Sequence, residues 1–563
     1  MKNKFFLYYH TLKRLTFSQI LWRLIYIFKR KYIEKHSNSI FQKYKTKYIP
    51  NKVFYDNEGF TLNNRKFYRG NIYDVLENKM TFLNHTIDFG DNVIWDLPEL
   101  QKGTRLWKLS INYHEYLVDI ARHYLKSKDE KVLAWFENHI EEWKKQNPLG
   151  TKDYGKDNWN SYAISLRIVS WIRIYVLLNN YLSEDFKKDF LHWLKIQSFF
   201  LADNIEYDII GNHIIKNYKA LVWTSIFFND TELSTKANII LKKYVLPQIK
   251  KDGMHEELSP MYTAIIIEDF LDCIAVNPKL ENLKQICKKM MEKNSLLYFN
   301  NSWAFFNDSA DGMAPTPDEL GYYYNCLIEE PLPKETKYFN LGCYCGEKTE
   351  KFHWIADVEN VVLGTQPGHV HADALSFELS YKGQKIFTNS GVFEYNSGEK
   401  RKYSRSSMAH NTLSVSEHEQ HELWGSFRCG RMGKNTLVKF INKNVRTFLK
   451  AIFTNYDNFY THTRKIFRIK NSMIFKDYLE IKNKKDARIY FHLTPLFKFI
   501  KINDTTFEIT DNTKKIAILT TTGNNNIVKE TPFFQAYGKE EKKDTLIIDI
   551  EDKPIITRIN FYE

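Results

Sequence analysis

Apolar positions along the chain recur with two different periods. From about Leu106 to Leu297 the period is helical: in WNSYAISLRIVSWIRIYVLL, Ile164, Ile168, Trp171, Ile172 and Tyr175 fall on one stripe. Similar stripes recur in HEYLVDIARHYL, NHIIKNYKALVWTSIFF, ANIILKKYVLPQI and MYTAIIIEDFLDCIAV, with short polar joints, which predicts an all-α layer. After about Tyr338 the period is two. HADALSFELSYKGQKIFTNSG, TRKIFRIKNSMIFKDYLEI and DTLIIDIEDKPIITRINFYE alternate around Gly, Asn and Asp turns, which predicts antiparallel sheet. The switch lies between Tyr322 and Tyr338, where Pro331 and Pro333 fall, and marks the domain boundary. Three regions result: 1–100, an amphipathic segment and lead-in; 101–330, the helical domain; and 338–563, the sheet domain.

The first stretch, FFLYYHTLKRLTFSQILWRLIYIFKRK, is apolar, but Lys13, Arg14 and Arg23 cut it into runs of roughly eight residues. A membrane span needs about 20, and no small-residue cleavage site follows. It reads as a basic amphipathic helix, either packed on the main domain or in peripheral contact with a membrane. The compartment expected from this is the cytoplasm, with the periplasm or the membrane periphery as the alternative.

Composition adds an electrostatic constraint. At 563 residues the chain exceeds a single small module, and 43% hydrophobic with 26% charged residues is a globular mix that excludes global disorder. The net charge of +14 favours an anionic partner, whether nucleic acid, membrane surface or acidic polysaccharide. No helix-turn-helix, zinc-finger or RNP pattern accompanies it, so nucleic acid is not the expected partner. The six cysteines are too few and too irregularly spaced for a disulfide framework and are expected to be reduced.

Three clusters can carry chemistry. In IIGNHIIKNYKAL, Gly211 breaks the chain and Asn212 stands where an N-cap belongs, with His213 in the first turn, exposed at the positive end of the helix; Asn212 is a cap or a catalyst. In DGMHEELSPMYTAIIIEDF, which also holds His255, Ser259 is the expected N-cap, Pro260 the first helical residue and Tyr262 a first-turn side chain. Tyr262 then faces oriented N–H groups that favour anions, or it is a core tyrosine. In GHVHADALSFEL, alternation on a strand would project His369, His371 and Asp373 from one face, with Leu375, Phe377 and Leu379 further along. Two imidazoles there suggest a metal site or a buried proton-transfer site, and zinc would need further ligands such as Asn389 and His410. Tyr395, Tyr403 and Arg405 lie between them in sequence and are candidates for the same cleft. Trp107, Trp159, Tyr162, Trp223 and Trp424 are sugar-stacking or core aromatics, and Arg167 meets an anionic sugar or pairs with an acid on a neighbouring helix.

Taken in order, GNH, DGMHEELSPMY, FNDSADGMAPTPDEL, GHVHADALSFEL, FTNSGVFEY and RSSMAHNTLSV resemble the heparinase II/III-like family, whose superfamily also includes related alginate lyases. The resemblance runs from about Trp107 to the C-terminus, and RLTFSQILWRL is similar to the start of the members found with polysaccharide-assembly genes. It implies an incomplete (α/α) toroid followed by an antiparallel β-sandwich, with the active cleft between them. Carried over by position, Asn212 and His213 match residues that neutralise a substrate carboxylate, Tyr262 the tyrosine acid and His369 the catalytic histidine. Tyr403, with Tyr395 beside it, stands near the base position. Trp159, Arg167, His255, Tyr395 and Arg405 are expected to contact substrate. His371, Asn389 and His410 fall where the family often holds a structural zinc, with Asn389 in place of the usual Asp.

The expected reaction is β-elimination on a uronic-acid-containing anionic polysaccharide, linked to exopolysaccharide, capsule or O-antigen metabolism. Asn212 and His213 would stabilise the enolate-like carboxylate, tyrosine or histidine would remove the C5 proton, and Tyr262 would protonate O4. A uronate C5-epimerase using the same site, or a non-catalytic polysaccharide-binding protein of an assembly complex, are the alternatives.

Overall fold

The structure, a computed structural model, describes residues 2–46, 53–95, 104–332, 337–358, 367–443, 446–511 and 513–563. Position 101, the expected start of the helical domain, and Pro333, inside the expected switch, lie outside the described residues. Helix starts are fixed by side chains that satisfy the first backbone N–H groups. Asn160, Ser183, Asp230 and Ser259 each accept from an N–H two or three residues on. Between these starts the apolar stripes form two rings. The helices Glu115–Ser127, Ser161–Leu178, Gly211–Phe227, Pro260–Val276 and Pro317–Leu327 pack side by side in that order. Glu130–Gln146, Glu184–Asp203, Thr231–Ile240 and Glu281–Asn294 each pack outside the preceding inner helix. This is the incomplete (α/α) toroid. Ser161–Leu178 is long and apolar enough to cross a membrane, but it is an inner helix buried on nearly every side.

The second half is antiparallel sheet, as the alternation predicts. One meander runs Tyr338–Asn340, Tyr344–Lys348, Phe352–Asp357, Phe377–Tyr381, Gln384–Phe387. It joins a four-stranded sheet, which includes Ala487–His492, through the Phe387–Leu493 bridge. An eight-stranded sheet faces them, its hairpin Tyr460–Ile469/Ser472–Ile481 closing at Lys470 and Asn471 in the register Ile469↔Ser472. Phe475 of that sheet lies 4.3 Å from Phe377 and 5.5 Å from Phe491, ring centre to ring centre, so one apolar layer joins both faces of the sandwich.

Two expectations change. The strand expected through His369 begins only at Phe377, and residues 367–376 form a loop. Polar groups hold that loop on the segment 304–309: Asn307 N–H donates to Asp373 Oδ2 at 2.7 Å, His371 N–H to Asn307 Oδ1 at 3.0 Å, and Asp308 N–H to His369 O at 3.1 Å. The N-terminal segment is two helices, Lys2–Leu12 and Phe17–Lys45, because Thr16 and Gln19 form a capping box that starts the second. This pair bridges both halves. Tyr44 donates to Asp203 Oδ2 at 2.7 Å on the toroid, and Trp424 Nε1 on the sandwich donates to Thr11 Oγ1 at 3.0 Å.

Candidate active site

A cleft of about 950 Å³ opens where toroid, sandwich and N-terminal helices meet. On the toroid side, Ile210 at φ 63 turns the chain into Gly211–Phe227 and takes the cap position expected for Asn212. Gly211 has φ +57, and a Cβ there would stand 2.2 Å from Glu257 Oε1, so glycine alone lets that carboxylate lie over the helix start. Glu257 Oε1 accepts from the Asn212 backbone N–H at 2.9 Å, and its two oxygens accept from Asn212 Nδ2 at 2.9 and 3.0 Å. Asn212 is thus buried in the first turn with its amide oriented by an acid. His213, expected to be exposed, is half-buried, its Nδ1 2.9 Å from Glu206 Oε1, while Glu206 Oε2 accepts from Asn217 at 3.0 Å. Burial pulls the imidazolium down, but Glu206, with Glu257 and Asp208 behind it, outweighs burial and raises the His213 pKa above its ordinary 6.5. A cation is therefore held in the first turn, beside the Glu257 carboxylate that covers the helix start, and it faces the cleft as a partner for an anion.

Where toroid and sandwich meet, three tyrosines come together. Ser259 caps the Pro260–Val276 helix as expected and accepts from Tyr262 N–H at 3.1 Å. The Tyr262 hydroxyl lies 3.0 Å from that of Tyr395, to which Tyr537 donates at 2.6 Å. The His369 ring packs against Tyr262, with centres 4.2 Å apart. His369 Nδ1 is 2.8 Å from Asp308 Oδ2, so Nε2 is the nitrogen left for the cleft. Asp308 is fully buried and also takes His371 Nε2 at 2.7 Å and both terminal nitrogens of Arg401. Burial alone would raise this carboxyl, but Arg401 and the imidazoles hold it well below the usual range. An ionised Asp308 fixes His369 as an Nδ1–H donor, which turns the Nε2 lone pair to the cleft. Burial, and next the neighbouring Tyr537, pushes Tyr262 well above 10, which keeps it a neutral phenol and a proton donor.

The expected zinc triad is partly assembled. His371 Nδ1 faces His410 Nε2 at 3.3 Å, while His371 Nε2 serves Asp308 and His410 Nδ1 lies 2.8 Å from Ser406 O. Two imidazole lone pairs facing each other need a proton or a cation between them, and zinc–nitrogen bonds of about 2.0–2.1 Å in a tetrahedron span about this separation. Asn389 Oδ1 accepts from Asn411 N–H at 3.0 Å, which leaves it one lone pair and no charge to offer. Among the described residues no cluster of three or more His, Cys, Asp or Glu is placed to hold an ion, so any third ligand at this pair would have to be neutral.

Five expected site residues lie elsewhere. Tyr403 does not line the cleft; its hydroxyl is 3.3 Å from Ser390 Oγ, and Tyr395 stands beside Tyr262 instead. His255 is buried, with Nε2 2.8 Å from Gln248 Oε1 and Nδ1 accepting Glu257 N–H at 3.2 Å, so it shapes the Glu257 turn; burial lowers its pKa to about 4. Trp159 is a core residue that packs on Phe200 at 5.0 Å. Arg167 meets neither sugar nor acid: it donates to Gln197 Oε1 at 2.6 Å, Asn112 O at 2.8 Å and Asn158 O at 2.9 Å, and burial lowers its pKa to about 9. Arg405 is buried and ties the carbonyls of Val370, Gly425 and Arg428 together behind the cleft. Conversely, the site includes Glu206, Glu257, Asp308, Arg401 and Tyr537, which sequence pattern does not distinguish. Glu257 and Asp308 stand inside quoted motifs, but nothing in residue type or spacing separates them from surface acids. The N-terminal segment adds Arg14, from the turn between its helices, and Arg23 and Arg30 to a cleft that Arg105 and Arg428 also line.

The sequence matches the family model described as Heparinase II/III N-terminus over residues 21–312 and the one described as Heparinase II/III-like, C-terminal, over residues 333–560. It is 22% identical over 458 residues to a heparin-sulfate lyase of Bacteroides thetaiotaomicron, covering 71% of this chain and 63% of that one. A heparin-sulfate lyase of Pedobacter heparinus is 24% identical over 367 residues, covering 58% and 54%. The aligned chain therefore spans less than two thirds of these relatives' length. Among solved structures, heparinase III superposes with a TM-score of 0.70 at 18% identity over 95% of this chain and 91% of that one. A chondroitin AC lyase of Streptomyces coelicolor A3 gives 0.52 at 8% identity over 80% and 74%. Two family models that together run through both halves of the fold, and the shared architecture, lead to one statement: the chain belongs to the heparinase II/III-like family.

Proposed function

We propose that the protein is a polysaccharide lyase that cleaves a uronic-acid-containing anionic polymer by β-elimination, in exopolysaccharide, capsule or O-antigen metabolism. The observation that carries this reading is the meeting of an acid and a base from different halves across one cationic cleft. Tyr262 comes from the toroid, and His369 with Tyr395 and Tyr537 from the sandwich. Heparin-sulfate lyases among the relatives act on a polymer of the same charge class.

In this reading the uronate carboxylate sits at the start of the Gly211–Phe227 helix, against protonated His213 and the Asn212 amide. Their attraction grows as the second negative charge develops, a term commonly worth about 3 kcal/mol per donor. His369 Nε2 takes the C5 proton, the C5–H electron pair becomes the C4=C5 double bond, and the C4–O4 bond breaks. O4 leaves with the Tyr262 hydroxyl proton. The Tyr395–Tyr537 chain gives the Tyr262 oxygen a hydrogen-bonded route to regain a proton, while His369 returns its own to solvent. A structural zinc held by His371, His410 and the Asn389 amide belongs to the same reading; its role is to fix the loop that carries His369, and it takes no part in the chemistry.

Incubation with a panel of uronate polysaccharides tests it. New ultraviolet-absorbing unsaturated ends are expected. Deuterium exchange at C5 without absorbance would replace the lyase with an epimerase, and binding without either would leave a scaffold.

A further inference from the structure

The Phe17–Lys45 helix has two apolar faces, and only one is used. Inward, Tyr26 donates to Ile205 O, Ile33 is buried, and Phe41 packs on Trp193 with ring centres 5.2 Å apart. On the opposite face the 3.6 period aligns Phe17, Leu21, Leu24, Phe28 and Tyr32, and these are 80%, 45%, 51%, 72% and 60% exposed. The preceding helix adds Phe5, Phe6 and Tyr9, each more than half exposed. Isolated surface phenylalanines need no explanation, but five exposed apolar side chains aligned on one helix face, with three more on the preceding helix, do.

We infer that this helical pair is an interfacial docking surface for a lipid bilayer carrying anionic headgroups. Charge selects the occupant. Residues 2–45 hold eleven lysines and arginines against the single acid Glu34, most of the excess of the whole chain. Exposed Lys31 and Lys35 follow the apolar stripe, and exposed Lys13 stands between the helices. Aromatic and aliphatic side chains flanked by lysine are the composition of a helix that lies in the plane of a membrane, with its rings in the acyl boundary and its cations at the headgroups. A second copy of this chain would set two such cationic segments face to face, which opposes dimerisation through this surface. A free polyanion would satisfy the lysines but leave the rings in water. One consequence rests on the lyase reading: the same helix turns Arg23, Ile27 and Arg30 into the cleft wall, so a docked protein would take its polymer at the membrane surface.

The test is co-flotation of the full chain with two kinds of vesicle, one of phosphatidylcholine and one of equal parts phosphatidylcholine and phosphatidylglycerol. Binding to the second, weakened by salt, is expected. The double variant Phe17→Ser/Phe28→Ser should lower the bound fraction at least tenfold with an unchanged melting temperature, and Lys31→Glu/Lys35→Glu should remove the preference for phosphatidylglycerol. No flotation of the wild type, flotation indifferent to both variants, or a wild-type dimer that the phenylalanine variant splits in light scattering would each overturn the proposal. Flotation requires no turnover, so its failure is distinct from failure of the lyase reading.

Discussion

Both oxygens of Asp308 are occupied: Arg401 reaches each with one terminal nitrogen, and His371 and His369 take one oxygen apiece. Removing this charge strands Arg401, so Asp308→Asn should cost about 3–5 kcal/mol of stability as well as activity. Tyr262→Phe removes one hydroxyl and its bond to Tyr395, at about 1 kcal/mol, yet should lower kcat by about 10²- to 10⁴-fold. Thermal melts beside initial rates separate the two; normal turnover in Tyr262→Phe would remove that hydroxyl from the mechanism. His213 sets the pH response. Its pKa is raised in the folded protein, so the protonated form and the stability it brings are fully present below 6.5 and are lost as pH rises through the folded value. kcat for a uronate polymer should therefore fall on the alkaline side, with a smaller rise in KM, and His213→Gln should flatten that limb. Side chains of this kind were legible where a motif held several together, as with Asn212, His213, Tyr262 and His369. Trp159 and Arg167 were not, because a residue's name does not tell whether the fold turns it to a cleft or into a core, and here both are buried.

At the level of elements, hairpins and inner helices follow directly from period and turn residues, since Lys470–Asn471 and Ser259–Pro260 satisfy local backbone needs that no distant contact alters. The 367–376 loop did not follow. Its alternation mimics a strand, but Asn307 and Asp373 tether it to a segment over sixty residues away, and Leu375 at φ 60 breaks the extended path before Phe377. The turn into Gly211–Phe227 is the clearest case of a local conformation set by a remote group. Gly211→Ala adds a Cβ at positive φ and against Glu257, so a loss of about 1–2 kcal/mol and displacement of the Asn212 amide are expected, with reduced kcat. Combining it with Glu257→Ala relieves the collision but not the backbone strain, so the two stability losses should be less than additive; strict additivity would show that the carboxylate does not press on this turn. The loop's other anchor is the His371–His410 pair. Metal analysis of the purified protein should find zinc, and chelation should lower the melting temperature; a metal-free protein indifferent to chelator would mean that a proton, not an ion, lies between the two rings.

The cleft itself belongs to the whole molecule, because no single region contains it. Toroid, sandwich and the N-terminal pair each supply one wall, and their meeting depends on contacts such as Trp424 with Thr11 and Tyr44 with Asp203, which pattern along the chain does not encode. The sequence does reveal that positive charge is in excess, and the fold concentrates it: Arg14, Arg23 and Arg30 from the N-terminal segment line the same space as Arg105 and Arg428. Cations around a concave, partly apolar space raise the local concentration of a polyanion, and salt screens that attraction over about 8–10 Å at physiological strength. KM for an anionic polysaccharide should therefore rise with ionic strength while kcat stays nearly level. Arg30 is exposed and takes no part in the Tyr262–His369 chemistry, so Arg30→Gln should raise KM about two- to fivefold, the scale of one solvent-exposed charge pair, and Arg30→Glu should raise it further. Both should leave kcat and melting temperature unchanged and make the salt dependence shallower. A KM insensitive to salt and to Arg30→Glu would mean that the polymer enters without passing the N-terminal wall, so that the helices serve only to brace the toroid against the sandwich.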